Sequence, residues 1–434
     1  MRIIGGSWSN WSGGVSCKPR SVVGPKDEVD LAATVRKADG AVRAPGSGHS
    51  FTPIHSTDGT LVDLSAFSGL INVDRERETA TLRAATPLWT IGPLLYEAGL
   101  GLKNMGDIDR QTLAGVVSTG THGTGRTLKN FSAEVAGFRL VLASGEVVRC
   151  SPDENAEIFE GGRASLGTFG VLIEITMRAR RAYKLVEKNF VLPIDELFRR
   201  LNSLVAENRH FEFFWFPYAD AAVCKSLNET DAAAPSPRPA EEMRARGERA
   251  GSDQRAFAAI NEILPYAPFL LGPAHRLFSR LMPGPDKVRW SHEIFPSPRT
   301  TRFNEMEYAL PYDKGPDALK EVVEAVRKKR INTGFPIEYR TVAADDVWMS
   351  PFYGRESATI AVHQYHRVDT TGLFDACEAI FRTYEGRPHW GKRHSRKADD
   401  LAALYPKFEE FRALRRRLDP AGKFLNPHLR AMFA

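Results

Sequence analysis

An α+β fold built as two substantial units is predicted for this chain on three observations. Its 434 residues exceed what one hydrophobic core usually supports. Short strand-like runs alternate with helical spacings through the first part, and beyond residue 300 the order strand, helix, strand, strand reads as a sheet backed by helices. With 42% hydrophobic and 26% charged residues, the chain has the balance of a soluble globular protein.

The elements follow in order. Ser21-Val22-Val23 reads as a strand, Asp27 to Asp39 as a helix carrying Val29, Leu31, Ala32 and Val35, and Ala41 to Ala44 as a second strand. Pro45-Gly46-Ser47-Gly48 breaks that pattern and leaves His49 at the tip of a loop. Strands are expected at 60–64, 70–74 and 79–84, then a helix begun by Pro87 and stopped by Gly99 and Gly101. Residues 136–142 and 146–150 form a hairpin signal across Ala143-Ser144-Gly145, and a glycine-led strand runs from Gly167 to Met177. From about 180 the pattern weakens until the aromatic strand Phe211 to Pro217. Residues 229–256 read as a surface excursion, and 257–284 as a helical hairpin against the core, with a membrane surface or a partner as the alternative support. Strands at 303–311, 335–342 and 358–365, helices at 317–329 and 374–384, and a single helix at 401–418 complete the chain.

Several classes are excluded. The net charge of +6 is dispersed among 53 acidic residues rather than gathered into a stripe, so no nucleic-acid partner is expected. Cys17, Cys150, Cys224 and Cys377 are far apart and form no CxxC pair; packed thiols are expected, and no metal site. The N-terminus lacks the apolar core of a secretory signal, and no run approaches the ~18 apolar residues of a membrane span, which makes cytoplasm the expected compartment. Gly-x-Ser-x-Gly, HExxH and P-loop motifs are all missing.

Three places carry residues suited to chemistry. The amides of Gly46-Ser47-Gly48-His49-Ser50 are free to meet a pyrophosphate, although a plain tight turn has the same composition, and G-x-G-x-x-G is lacking. The segment from Leu113 to Gly125 is rich in glycine and hydroxyl residues that suit phosphate oxygens. Glu338 and Arg340 share one face of a strand, as do His363 and Tyr365; the first pair is either a fork of donors for a ligand or a surface ion pair. His389 and Lys392 lie three apart beside a tryptophan, and a lysine in a desolvated site can act as a base or a polarising cation.

Taken in order, Gly46 to Ser50, Asn104-Met105-Gly106-Asp107, Thr119 to Gly125, Glu338-Tyr339-Arg340 and Arg387 to Lys392 resemble the sugar-1,4-lactone oxidoreductases. These are the L-gulono-1,4-lactone and D-arabinono-1,4-lactone oxidases or dehydrogenases, with the alditol oxidases as close relatives, all FAD proteins of the vanillyl-alcohol-oxidase (PCMH) type. The resemblance runs from about Trp8 to Phe433 and implies a two-subdomain FAD-binding domain at 1–180, a cap domain with an antiparallel sheet flanked by helices at 181–395, and a segment at 396–434 returning to the first. It gives Ala44, Pro45, Gly46, Ser47, Gly48, His49 and Ser50 to the FAD, with His49 matching a histidine bonded covalently to the flavin in several members. Asp107, Thr112, Gly115, Thr119, Gly120, Thr121, His122, Val171 on the adenine side and His389 from the cap are further implied contacts.

Glu338, Arg340 and Lys392 match the family's substrate-facing trio, and Asp107 and His363 are expected to face substrate as well. The implied reaction moves a hydride from an alcohol carbon to flavin N5, with Arg340 and Lys392 stabilising the alkoxide, one of them, Lys392 if desolvated, taking the proton, and Glu338 holding Arg340. Alditol oxidases carry serine where this chain has Asp107 and threonine where it has His363, which tilts the substrate from a linear polyol such as xylitol or sorbitol toward an aldonolactone. Gly106 leaves dioxygen a path to the flavin, which favours an oxidase over a dehydrogenase with another acceptor. Oxidation of another sugar in a biosynthetic pathway and a non-catalytic flavin scaffold are the remaining readings; the trio argues against the scaffold.

Overall fold

The computed structural model describes residues 3–4, 6–249 and 251–434. Ser21–Val23, Thr60–Val62 and Val42–Arg43 lie side by side as a parallel sheet, Thr60–Val62 in the middle. The helix Glu28–Lys37 crosses between two of these strands; the Asp27 side chain caps it by accepting from the Asp30 N–H, and its Leu31 and Val35 are buried with Val42 and Val62. Beyond Arg43 the chain leaves the sheet as the loop that carries His49.

A five-stranded antiparallel sheet follows, in the order Val147–Cys150, Val135–Val141, Val171–Arg178, Thr79–Arg83, Leu70–Asp74. The hairpin forms with Val141 opposite Val147 and Gly145 at φ +82°, a left-handed turn that glycine adopts without strain. Helices Leu88–Glu97 and Leu113–Ser118 join its core through Ile91, Leu95 and Val116. The same core takes in Leu401, Phe408, Phe411, Leu414 and Phe433, so the C-terminal segment packs on the N-terminal sheet.

The eight-stranded sheet is antiparallel throughout: Lys287–Trp290, Lys184–Pro193, Ala221–Glu229, His210–Trp215, Ile337–Val342, Ser357–Tyr365, Phe303–Pro311, Arg387–Pro388. Alternation divides its faces. Phe213, Tyr339, Ile360 and Met306 pack with Leu197, Leu201, Val322 and Phe381 of the helices Ile194–Glu207, Gly315–Lys328 and Thr371–Thr383. Burying each such side chain contributes roughly 1.5–3 kcal/mol, enough to fix those helices on one side. The intervening residues face the other way, and Glu212, Glu305, Glu307, Glu338 and Arg340 among them are charged.

Three expectations change. Residues 184–207 are regular, a ten-residue strand and a fourteen-residue helix; the strand hides its pattern because both of its faces mix polar and apolar residues. The excursion at 229–256 contains the helix Ala240–Glu248, held on the protein by buried Met243 and by Arg110, which donates to the carbonyls of Met243 and Arg244; Ala250 lies outside the described residues. The single C-terminal helix is two, Ala398–Leu404 and Phe408–Leu418, because Pro406 interrupts the backbone ladder. The hairpin at 257–284 stands as the helices Ser252–Ile263 and Leu271–Leu281.

Candidate active site

One cavity of about 700 Å³ lies where the His49 loop, the Leu113–Ser118 helix and the charged face of the eight-stranded sheet converge. Gly46, Ser47, Gly48, His49, Ser50, Thr112, Gly115, Thr119, Thr121 and His122 line one side; Asp107, Glu338, Arg340, His363, His389 and Lys392 line the other. Four of the implied contacts, Ala44, Pro45, Gly120 and Val171, are not brought to the cavity wall. Val171 is instead buried with Val42 and Phe424 in the small core behind the loop.

The loop has the features of an anion cradle. Gly48 sits at φ +79°, and a side chain on Gly46 would place its Cβ 2.5 Å from Thr112 Oγ1. Among the described residues no protein acceptor meets the backbone N–H groups of Gly46, Ser47, Gly48, His49 and Ser50. Buried N–H groups are nearly always satisfied, so five consecutive free donors in a cavity wall fit the oxygens of a bound pyrophosphate. The loop is pinned at both ends: Trp11 N–H donates to the Gly48 carbonyl and Phe51 N–H to the Gly391 carbonyl. The His49 ring stacks on Trp11 with centroids 5.6 Å apart. Burial, then the nearby charges of Lys392 and Arg110, lower the imidazole to about 4, so it is neutral at physiological pH.

On the opposite wall, Arg340 is held by three carboxylates. Its Nη2 lies 2.6 Å from Glu338 Oε1 and 2.9 Å from Asp107 Oδ2, and its Nε donates to Glu212 at 2.7 Å. The pair is buried, which decides against the surface reading left open by spacing alone. Lys225 lies 2.9 Å from Glu212, and Arg299 lies 3.0 Å from Asp107. Burial raises the Asp107 carboxyl, but Lys225, Arg340 and Arg299 together hold it well below the usual carboxylate range. Glu338 goes the other way: burial first, then Asp107 and Glu212, outweigh Arg340 and push it up to about 7. It is the one acid of this cluster poised to exchange a proton near neutrality.

Beside it the Phe303–Pro311 strand presents Glu305 and Glu307. Lys392 Nζ pairs with Glu305, whose other oxygen is 3.6 Å from His363 Nε2. Burial opposes ionisation of Glu305, yet Lys392 and His363 bring it down to about 2. Glu307 lies 2.8 Å from His122 Nε2, and the His122 and His389 rings are 5.8 Å apart. Two groups thus gather metal-ligand atoms within 4.8 Å, His122 with Glu307 and His389, and Asp107 with Glu212 and Glu338. The second is already balanced by Arg340, Lys225 and Arg299.

Sequence reading missed Glu212, Lys225, Arg299, Glu305 and Glu307. The signal for the last two was Glu-Met-Glu alternation in a strand, which is indistinguishable from a solvated face until the opposite wall is known. Glu212 and Lys225 meet only through strand register, as cross-strand partners.

Known proteins share this organisation. The D-arabinono-1,4-lactone oxidase family profile matches residues 175–432, and an FAD binding domain profile matches residues 19–151. The chain is 38% identical over 426 residues to L-gulono-1,4-lactone dehydrogenase of Mycobacterium tuberculosis, spanning 98% of both chains. It is 30% identical to alditol oxidase of a Streptomyces species, covering 97% of this chain and 98% of that one. Among solved structures, cholesterol oxidase from B. sterolicum superposes with a TM-score of 0.81 at 17% identity, over 99% of this chain and 97% of that one, a likeness of fold: the PCMH-type FAD-binding fold. The chain belongs to the D-arabinono-1,4-lactone oxidase family of FAD-dependent oxidoreductases.

Proposed function

We infer that the chain oxidises an alcohol carbon of an aldono-1,4-lactone, of the L-gulono or D-arabinono type, by hydride transfer to flavin N5. One observation carries the reading: a donor-lined glycine loop and a buried wall of paired charges, Arg340 and Lys392 among them, share one cavity. In this reading residues 1–180 and 396–434 hold the FAD and 181–395 close over it, supported by the core shared between the N-terminal sheet and the C-terminal helices.

Bound FAD supplies the hydride acceptor. The chain supplies the rest. As a hydroxyl loses its proton, negative charge grows on its oxygen, and the Arg340 guanidinium and Lys392 ammonium offer N–H donors on the cavity wall to meet it. Glu338 is the group matched to receive that proton, because it lines the same wall and is half-ionised near pH 7. Lys392, engaged by Glu305, acts as a cation rather than a base. Asp107 and His363 fix the outline of the substrate. A linear polyol is the second reading, favoured by the likeness to alditol oxidase; a fixed carboxylate at Asp107, where that family has a serine, favours the ring lactone.

Initial rates with aldonolactones and with xylitol, each under air and under nitrogen with a dye acceptor, test the proposal and its oxidase preference. A xylitol preference would replace the lactone by the polyol. An FAD-loaded protein that turns over neither would overturn both readings.

A further inference from the structure

Of the eleven large apolar side chains exposed on the described residues, seven fall within one segment: Ile263, Tyr266, Phe269, Leu270, Leu277, Leu281 and Met282. Tyr266 and Phe269, in the link between the two hairpin helices, are 88% and 79% exposed, and Leu281 is 70% exposed. The inward side of the Leu271–Leu281 helix is already used, since Leu271, His275 and Phe278 are buried. Its exposed apolar residues are therefore a second face, and they have no partner among the described residues. The other four among the described residues, Val22, Val29, Ile71 and Val191, are scattered along the sequence, whereas these seven share one segment, a lip.

Charge identifies what the lip meets. Between Glu262 and Asp286 the chain has no acidic residue at all, while Arg276 and Arg280, one turn apart, are exposed and outside every ion pair among the described residues. Protruding aromatic and aliphatic side chains interspersed with these two unpaired arginines and no acid match the boundary between anionic headgroups and acyl chains, where arginine stems lie along the apolar layer and their heads reach phosphates. Nearly full exposure of Tyr266 and Phe269 also suits insertion into lipid better than a flat protein contact. The lip is part of the cavity entrance, lined by Leu277, Leu281 and Met282.

We propose that the Ile263–Met282 lip docks the protein on an anionic bilayer, with the mouth of the active-site cavity turned toward the lipid. This stands independently of which sugar is oxidised. Sedimentation of the FAD-loaded protein with phosphatidylcholine vesicles, with and without phosphatidylglycerol, tests it. The wild type should pellet with the phosphatidylglycerol vesicles, weakly with the neutral ones, and be released by salt. Tyr266→Glu combined with Phe269→Glu should lower binding about tenfold or more with turnover of a soluble acceptor unchanged. Arg276→Ser combined with Arg280→Ser should lower binding about tenfold and flatten its salt dependence. Absence of wild-type pelleting, or binding indifferent to both pairs, overturns the proposal. A dimer in light scattering that Phe269→Glu splits, with no vesicle binding, overturns it in favour of a second copy of the chain on the lip.

Discussion

Replacing Lys392 by methionine keeps most of the side-chain volume and removes one charge, and its consequences separate a structural role from a chemical one. Glu305 is 4% exposed and depends on Lys392 first and His363 second to stay ionised at about 2 against the pull of burial. Its carboxyl is thus lowered from an ordinary value of 4.5, so its ionised form favours the folded state. The sign follows from the lowered value: this stability is complete above pH 4.5 and is lost as pH falls through 2. Without Lys392 burial prevails, and Lys392→Met should lose about 3–5 kcal/mol, as for other broken buried pairs. Turnover should fall separately, by about 10²–10³-fold for one lost oxyanion donor. Adding Glu305→Gln removes the stranded carboxylate and should restore the melting temperature while leaving turnover low. Thermal denaturation and initial rates on the FAD-loaded variants read the two effects. Unchanged turnover in Lys392→Met, or recovery of turnover together with stability in the double variant, would refute the assignment.

Other variants probe the remaining parts. Glu338 is raised to about 7, so the folded protein binds the extra proton and stability is lost as pH rises from 4.5 through 7; Glu338→Gln should therefore gain in melting temperature relative to wild type on going from pH 5 to pH 8, and a difference independent of pH would contradict this. The same variant should lose the rise in turnover through pH 7 that ionisation of Glu338 gives the wild type. Gly46→Ala should drive its Cβ against Thr112 Oγ1 at 2.5 Å and lower the FAD-to-protein absorbance ratio, which Thr112→Ala should partly restore. His49, neutral in its cavity, has a lone pair free for the flavin 8-methyl carbon: the acid-precipitated wild type should keep its yellow colour in the pellet, and His49→Ala should release it.

The loop from Gly46 to Ser50 was legible in the sequence because glycine and proline interrupt a strand visibly, and backbone donors need no partner to be inferred. The Glu338-Tyr339-Arg340 pair was legible as a shared face, but not as buried, since burial comes from Glu212 and Asp107 on other segments. Glu305 and Glu307 alternate with Met306 and Tyr308 as a solvated strand would; only the return of Lys392 and His122 from distant parts of the chain turns that face into a wall. The helix Ile194–Glu207 had its signal in Leu197, Leu201, Leu204 and Val205, spaced for one face, and was obscured by the strand before it, whose two faces both mix polar and apolar residues. Most of the order of elements is local chemistry. The site is tertiary.

Anaerobic titration of the FAD-loaded protein with L-gulono-1,4-lactone, D-arabinono-1,4-lactone and xylitol, followed by visible absorbance, reads substrate oxidation without any outside acceptor. A lactone should bleach the yellow band at stoichiometric amounts while xylitol leaves it unchanged. Bleaching by xylitol with both lactones inert would contradict the aldonolactone assignment.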